Sequence, residues 1–343
     1  MSVDSDRPTP IDRMETIPIV KDLLLELASG LELYWDTAGR ILNACGVTLA
    51  PLSEDAFSLR KNFFSFLFLY SFRQGGIPHG RRMLYAATLQ CLRGMVTGCD
   101  NLLDDEYKAT LETDIPADGH RFRSVVDIMV SDRVLFEILL AAARRQEISQ
   151  KLVSAAATAS MKTMIRSGIE EAAEEAGITA ILEPEAVLRS IHHLKTGLLF
   201  QCPWDIPLTI ETLSQKQVNP FLEALYRIGI GCQIMDDMVD MTSDIKSRRH
   251  NYLVSLVHHG PSKAEKGRLA DAMASRPGSQ DCEAMGVTCF PKALLQAIQR
   301  SHRLLAEGLG TLFGREHQLL VDPAIRFLEQ RIGVAHLADG TDP

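Results

Sequence analysis

Helical spacing of apolar residues runs through almost the whole chain, and this feature limits the fold more than any other. Apolar residues recur three and four positions apart, whereas the alternation of a half-buried strand is nearly absent. The segments with this spacing are 18–46, 54–73, 81–105, 122–145, 148–176, 184–200, 217–246, 252–258, 291–313 and 317–337. They predict an all-α protein.

Gly, Pro and Asp gather between these segments and predict where the helices end. They do so at 75–80, 113–120, 203–207 and 258–281, and we interpret the last and longest as a mobile loop. The hydrophobic content of 46% is spread evenly and leaves no segment that resembles a linker. We therefore expect one large all-α domain over 18–340, preceded by a disordered N-terminal tail at 1–17.

Composition excludes several classes of protein. The net charge is -8 and both signs are interspersed, whereas a nucleic-acid-binding protein would show a basic stripe. The seven cysteines form no CxxC pair and are odd in number, so neither a zinc site nor a disulfide framework is indicated. The N-terminus lacks the apolar core of a secretory signal, and the run FFSFLFLYSF is too short to cross a bilayer. These features predict a cytoplasmic protein with no transmembrane segment.

Carboxylates crowd into one apolar helical segment, QIMDDMVDMTSD at 233–244. The polar residues of this segment include Gln233, Asp236, Asp237, Asp240 and Asp244. Three of the aspartates are spaced four apart and so share one stripe of a helix. Met, Val and Ile separate them, and no Lys or Arg offsets the stripe before Lys246. Such a row calls for a cation, and carboxylates suit Mg²⁺, which fills its other positions with water and phosphate oxygens.

A second acidic cluster, CDNLLDDEY at 99–107, has the same character. Asp100 and Asp104 are one turn apart, and Asp105 follows directly. If the two acidic helices are antiparallel neighbours, their stripes form opposite walls of one cavity. Two or three Mg²⁺ ions, or Mn²⁺ in their place, would then bridge these carboxylates to a diphosphate.

Together these motifs resemble those of the trans-isoprenyl diphosphate synthases, the polyprenyl synthetase-like proteins and their relatives among class I terpene synthases. The second motif follows the family's DDxxD pattern closely, whereas in the first Asn101 stands at the usual second Asp. The segment KTGLLF at 195–200 resembles the family's Lys-Thr segment. The likeness covers roughly residues 60 to 260. It implies an isoprenoid-synthase helical bundle around a deep apolar cavity, Mg²⁺-dependent ionisation of an allylic diphosphate, and a homodimer.

The resemblance also implies roles for individual residues. Lys195, Arg248 and Arg249 would neutralise charge as the diphosphate leaves the allylic carbon. The expected substrate-binding residues are Arg81, Met95, Val96, Lys195, Thr196, Gln233 and Lys246. The expected metal ligands are Asp100, Asp104, Asp105, Asp236, Asp237, Asp240 and Asp244. Met95 and Val96 are not the aromatic residues that floor the cavity of short-chain members, so we expect a C15 or C20 substrate.

The chain departs from the family where chain-elongating members hold a second substrate, isopentenyl diphosphate. Arg81 is kept, but the family's Lys position falls near Pro78. The Arg pair expected after the first motif is missing, and Glu112 is acidic there, with Lys108 as a single replacement cation. One flexible Lys is not equivalent to a bidentate Arg fork.

Three hypotheses follow from these matches and departures. The loss of second-substrate cations favours a terpene synthase, in which the carbocation is captured within one molecule. The alternative is a chain-elongating (E)-prenyl diphosphate synthase with rearranged basic residues. A third is a non-catalytic subunit of a heteromeric synthase, for which Asn101 is the only indication. A di-iron bundle needs Glu-x-x-His pairs, which His192 and His193 do not form.

Overall fold

The computed structural model describes residues 9–104, 107–274 and 289–338. Within these ranges the protein consists of helices, and the only β pairing is an isolated antiparallel bridge between Leu49 and Thr113. The prediction of an all-α fold is confirmed. The chain divides into two compact units, Met1–Met164 with Cys202–Asn219 and Ile165–Gln201 with Pro220–Pro343. The single domain expected over 18–340 stays a prediction.

The described helices follow one another along the chain. In chain order they are α1 Pro10–Glu15, α2 Pro18–Ala44, α3 Leu59–Gln74, α4 His79–Leu103, α5 His120–Arg144, α6 Val153–Ala159, α7 Met161–Ala173, α8 Pro184–Ala186, a π-helix Val187–Gly197, α9 Leu198–Gln201, α10 Asp205–Ile210, α11 Gln215–Val239, α12 Met241–Ser247, α13 Tyr252–His259, α14 Lys263–Ala274, α15 Pro291–Phe313, α16 Val321–Ile332 and α17 Ala335–Ala338. Short 3₁₀ turns are Glu54–Phe57, Ala117–Gly119, Gln150–Leu152, Cys202–Trp204 and Gln318–Leu320.

The first unit is built around α4, which packs against α2 and α5. Small residues allow this close approach: a Cβ on Gly94 of α4 would lie 2.1 Å from Ser131 Oγ of α5. At the same point Tyr34 of α2 is buried, and its hydroxyl lies 2.9 Å from Ser131 Oγ, so its polar end is satisfied inside the core. A larger residue at position 94 would therefore require Ser131 or the helix itself to shift.

A buried ion pair also joins α2 to α4. Arg82 donates from Nε to Glu26 at 2.8 Å and from Nη2 to the other carboxylate oxygen at 2.5 Å. Its Nη1 donates to the carbonyl of Ile77 at 2.7 Å. Because both charged groups are buried, removing either one would leave the other uncompensated, at a cost of roughly 3 to 5 kcal/mol.

The second unit packs α11, α13, α15 and α16 around an apolar core. A Cβ on Gly308 of α15 would lie 2.8 Å from the carbonyl oxygen of Ala224 on α11, so this crossing requires glycine. The π-helix Val187–Gly197 is unusual, because most π-helices are single turns and many of these occur at functional sites. Several of the predicted and newly found site residues described below belong to it.

Several segments differ from the predictions. Helix α1 lies inside the expected N-terminal tail, because Ile11 and Met14 are buried and Thr9 caps its first turn. Helix α14 lies inside the expected mobile loop at 258–281, where Leu269 and Ala272 are buried one turn apart. Residues 275–281 of that loop lie outside the described ranges. The segments predicted at 148–176 and 217–246 are each interrupted, at Ser160 and at Asp240.

Candidate active site

The first acidic motif lies at the end of α4, in the first unit. Asp100 and Asp104 are exposed and one turn apart, and the Asp104 amide donates to the carbonyl of Asp100 at 2.9 Å. Asp105, the third expected ligand of this motif, lies outside the described residues. Earlier on the same helix Met95 is buried and Val96 is half-buried. Their contact with substrate stays a prediction.

Asn101 has a structural role that a carboxylate would not perform. Its side chain is buried at 2% exposure. The Lys108 amide donates to Asn101 Oδ1 at 2.9 Å, and Asn101 Nδ2 donates to the Lys108 carbonyl at 3.1 Å. An ionised Asp accepts hydrogen bonds but cannot donate one, so only the amide satisfies both backbone groups. The departure from the family motif at Asn101 is therefore explained by the backbone that it holds.

One of the two cations expected near a second substrate, Arg81, has an acidic partner in this unit. Arg81 is half-buried, and its Nε lies 3.5 Å from Glu211 Oε1, which also accepts from the Tyr85 hydroxyl at 2.6 Å. Glu112 lies 3.7 Å from Nη2 of Arg123, which was not predicted as a site residue. Arg123 is buried and stacks over the ring of Tyr107 at 4.7 Å.

The second acidic motif lies at the junction of α11 and α12, in the second unit. The helix is interrupted at Asp240, yet the amide of Asp240 donates to the carbonyl of Asp236 and the amide of Asp244 to that of Asp240, each at 2.8 Å. Backbone bonds four residues apart thus continue through the interruption, and the three aspartates stay one turn apart. Asp236 and Asp240 are exposed and Asp244 is half-buried.

Asp237 faces the interior of the unit, and its expected role as a metal ligand stays an untested prediction. One carboxylate oxygen accepts from the Tyr252 amide at 2.5 Å and lies 3.0 Å from His192 Nε2, and the other accepts from Gln233 Nε2 at 3.2 Å. Both Asp237 and His192 are almost fully buried. A carboxylate with these donors holds the end of α11 to the start of α13, and we leave it out of the proposed metal ligands.

Gln233 and Thr196 form a short polar chain that orients the motif. The Thr196 hydroxyl donates to Gln233 Oε1, and Gln233 Nε2 also donates weakly to Asp236 at 3.4 Å. Asn251 supports the same region by donating to the carbonyl of Asp237 at 2.7 Å and to the Asp244 carboxylate at 2.8 Å. The carboxylates of the second motif are therefore positioned by neutral side chains.

Lys195 is already paired within the second unit. Its ammonium lies 3.0 Å from Glu171 Oε2 and 2.9 Å from Glu174 Oε2, and the lysine side chain is 10% exposed. Burial alone would lower the pKa of Lys195, but the two carboxylates raise it overall, so the group stays charged. The ammonium predicted to contact the diphosphate is therefore already neutralised by two carboxylates.

The basic residues after the second motif contribute partly to structure. Arg248 has a left-handed backbone with φ 53° and ψ 51°, and its Nη2 donates to the Ile178 carbonyl at 2.8 Å. The Ile178 amide donates to the Arg248 carbonyl at 2.7 Å. Arg249 lines a crevice with Asp244, and Lys246 is exposed. Arg248 therefore ties one segment to another, while the expected diphosphate contacts of all three residues stay predictions.

The donor chemistry of the second motif fits Mg²⁺. Burial, followed by the charges of Asp237 and Asp240, raises the pKa of Asp244 to about 8, as expected where acids crowd together. Among the residues that the structure describes, no three His, Cys, Asp or Glu side chains are arranged to hold a metal by themselves. Mg²⁺ commonly takes only one or two carboxylates and completes its shell with water and substrate phosphates, so exposed Asp236 and Asp240 are suitable donors.

Comparison with solved structures identifies the class of fold. A polyprenyl synthase from Roseobacter denitrificans aligns with a TM-score of 0.60 at 17% identity, covering 94% of this chain and 99% of that one. The heptaprenyl diphosphate synthase of Staphylococcus aureus gives 0.60 at 14% identity, covering 88% and 98%. A geranylgeranyl pyrophosphate synthase from Corynebacterium glutamicum, complexed with isoprenyl diphosphate and magnesium, gives 0.59 at 17%, covering 91% and 99%.

These alignments confirm that the chain has the isoprenoid-synthase fold. The polyprenyl synthetase family matches residues 120–252, a range that contains Lys195 and the second acidic motif but not the first. The predicted resemblance to the trans-isoprenyl diphosphate synthase superfamily is thus confirmed, and the family match lies where the motifs agree best. A search of curated protein sequences finds no match. None of the described helices combines the length and apolar character needed to span a bilayer.

Several residues of the candidate site were not predicted from the sequence. They are Glu171, Glu174, His192, Glu211 and Asn251. The acidic run EEAAEE at 170–175 was visible in the sequence, but its pairing with Lys195 depends on how α7 lies against the π-helix. The sequence gives no reason to place His192 at the site, and its 3.0 Å approach to Asp237 connects it with the motif.

Proposed function

We propose that the protein is a Mg²⁺-dependent prenyltransferase that ionises an allylic C15 or C20 prenyl diphosphate and extends it with isopentenyl diphosphate. The observation that carries this proposal is the stripe of Asp236, Asp240 and Asp244 on a fold shared with prenyl diphosphate synthases. Bound Mg²⁺ would supply positive charge to the departing diphosphate. In the second unit the proposed ligands are the exposed Asp236 and Asp240 and the half-buried Asp244. In the first unit they are Asp100, Asp104 and Asp105.

The residues of the chain orient and support this chemistry. Thr196 and Gln233 fix the direction of the second motif through their hydrogen bonds. Asn251 donates to Asp244 and so favours its ionised form, which is the form that binds a cation. Proton transfer is not the role of these aspartates, because ionisation of an allylic diphosphate requires charge neutralisation rather than an acid or a base.

Chain elongation replaces cyclisation as the favoured outcome. The missing cations near Arg81 had favoured a terpene synthase, whereas the matching family and the named structural neighbours are prenyl synthases. A terpene synthase is the second candidate, and two observations support it: Arg81 lies beside Glu211, and Glu112 lies beside Arg123. Acidic partners on these cations weaken the case for a second diphosphate site.

Product analysis distinguishes the two candidates. The protein and Mg²⁺ would be incubated with geranyl, farnesyl or geranylgeranyl diphosphate, with and without isopentenyl diphosphate. We expect longer prenyl diphosphates from the C15 and C20 substrates only when isopentenyl diphosphate is present. Hydrocarbons or terpene alcohols formed without it would indicate the cyclase. No diphosphate release from any allylic substrate would refute both.

Single carboxylate variants test the metal-binding role. Asp236→Asn should lower the rate of diphosphate release roughly 100-fold, the scale of losing one well-placed electrostatic group. Asp322→Asn removes the same charge from an exposed position on α16 and should leave the rate unchanged. EDTA should abolish release in the unaltered protein. Full activity of Asp236→Asn would remove this aspartate from the proposed site.

A homodimer is the proposed assembly. Helix α5 exposes large apolar side chains at heptad-like spacing, Phe122, Val125, Met129 and Phe136. Phe122 and Met129 are 62% and 65% exposed, which is unfavourable for a surface in contact with water. A second copy of the chain, presenting the same face, would cover this stripe in a two-fold interface.

A further inference from the structure

The environment of Lys195 differs from that of an open anion-binding lysine. Two carboxylates contact the ammonium, at 3.0 Å from Glu171 and 2.9 Å from Glu174. With all three groups ionised, the trio carries one net negative charge. Glu174 is buried, its Oε2 also accepts from the His250 amide at 3.3 Å, and its Oε1 has no hydrogen-bond partner among the described residues. The trio is therefore fixed in place and acidic overall.

The net charge of this trio determines which form of a diphosphate can approach Lys195. Because both acids lie within 3.0 Å of the ammonium, free diphosphate, which carries several negative charges, would meet repulsion from two acids as well as attraction to one ammonium. A diphosphate complexed with Mg²⁺ has most of its charge cancelled before it arrives. The repulsion is stronger in this partly buried position than it would be at a fully solvated one, where salt screens it.

We propose that Glu171 and Glu174 are specificity-determining residues that make the site select metal-complexed diphosphate over the free anion. The inference rests on the proposed function in one respect, that Lys195 faces the diphosphate of the substrate. It adds that these two acids lower the affinity for the free anion. The acids thereby also favour the departure of a diphosphate product once its metal ions dissociate.

Binding of inorganic diphosphate, measured by calorimetry with and without Mg²⁺, tests this selectivity directly. For Glu171→Gln we expect affinity for free diphosphate to rise at least about tenfold, which is 1.4 kcal/mol, because one unit charge near several charges is removed. Affinity for the Mg²⁺ complex should change much less. The ratio of the affinity for the Mg²⁺ complex to the affinity for free diphosphate therefore falls. Glu174→Gln should act in the same direction.

The controls separate this effect from general changes in charge and folding. Glu175→Gln removes an exposed charge next to Glu174 and should leave the ratio unchanged. Glu171 is 32% exposed, so its Gln variant should fold even if the buried Glu174 variant does not, and thermal unfolding would verify this. An unchanged ratio in folded Glu171→Gln overturns the proposal, as does failure of the unaltered protein to bind diphosphate in either form.

The binding measurement needs no turnover and so separates this inference from the proposed function. A reduced ratio in Glu171→Gln, together with no reaction of any prenyl diphosphate, would refute the proposed function and leave the selectivity standing. Normal prenyl transfer with an unchanged ratio would refute the selectivity alone.

Discussion

Restoring the family's aspartate at position 101 should damage the protein. In the structure Asn101 is 2% exposed, donates to the Lys108 carbonyl at 3.1 Å and accepts from the Lys108 amide at 2.9 Å. Asn101→Asp keeps the acceptor but places a carboxylate oxygen against a carbonyl oxygen. The lost donor leaves a buried carbonyl unsatisfied, at about 1 to 3 kcal/mol, and burial of the new charge adds to this.

We therefore expect Asn101→Asp to lower the free energy of unfolding by roughly 2 to 4 kcal/mol at pH 7.5. Urea unfolding followed by circular dichroism would measure the loss. The variant should also gain no activity, because position 101 faces the Lys108 backbone and not solvent. A stability equal to that of the unaltered protein at pH 7.5 would refute the assigned role of the amide.

The pH dependence of this loss gives a second test. A carboxyl group buried against a carbonyl has a higher pKa in the folded state than in the unfolded state. Between these two pKa values the folded state keeps a proton that the unfolded state has lost, so Asn101→Asp becomes less stable as pH rises through this range. Below them the protonated carboxyl donates to the Lys108 carbonyl as the amide did. The difference from the unaltered protein should thus be smaller at pH 5 than at pH 7.5. Asn101→Ala loses both bonds without a charge and should be destabilised equally at both.

Two further predictions concern α5. Burial raises the pKa of Asp127 from 3.8 to about 6, so its charge destabilises the fold increasingly as pH rises through this interval. Measured by urea unfolding, Asp127→Asn should therefore gain up to about 3 kcal/mol of stability relative to the unaltered protein between pH 4 and pH 8. No gain at pH 8 would contradict the assigned burial cost. Met129→Glu should convert the proposed homodimer to a monomer in light-scattering chromatography, whereas Leu25→Glu, at a 70% exposed position on α2, should not. A monomeric unaltered protein would refute the assembly.

The long helices could be predicted from the sequence because their buried faces repeat every three or four residues. Helix α14 was missed because its buried face consists of few residues, such as Leu269 and Ala272, and Gly267 interrupts its pattern. Helix α10 was missed for a different reason. It has only six residues and contains Pro207, which is tolerated there because the first turn of a helix has no internal partner for that amide.

The candidate site was predictable where a single helix carries it, and less so where separate segments meet. The spacing of Asp236, Asp240 and Asp244 placed them on one stripe, and the backbone bonds through Asp240 keep that register. The inward direction of Asp237 was not predictable, because it depends on Tyr252 and His192, which lie far away in the sequence. Residue types and spacing identify acids on a helix, but the partner of each acid is set by tertiary packing.

The same limitation applies with more consequence to the basic residues. Counting Arg81, Lys195, Lys246, Arg248 and Arg249 in the sequence suggests five cations available to a diphosphate. In the structure Arg81 lies beside Glu211, Lys195 contacts two glutamates and Arg248 donates to a backbone carbonyl. The carboxylate partners of Arg81 and Lys195 reduce the positive potential that an anion meets, because a neutralised cation attracts it only if the existing partner is displaced. Charge neutralisation in the proposed reaction therefore depends more on metal ions, and less on side chains, than the basic residues of the sequence suggest.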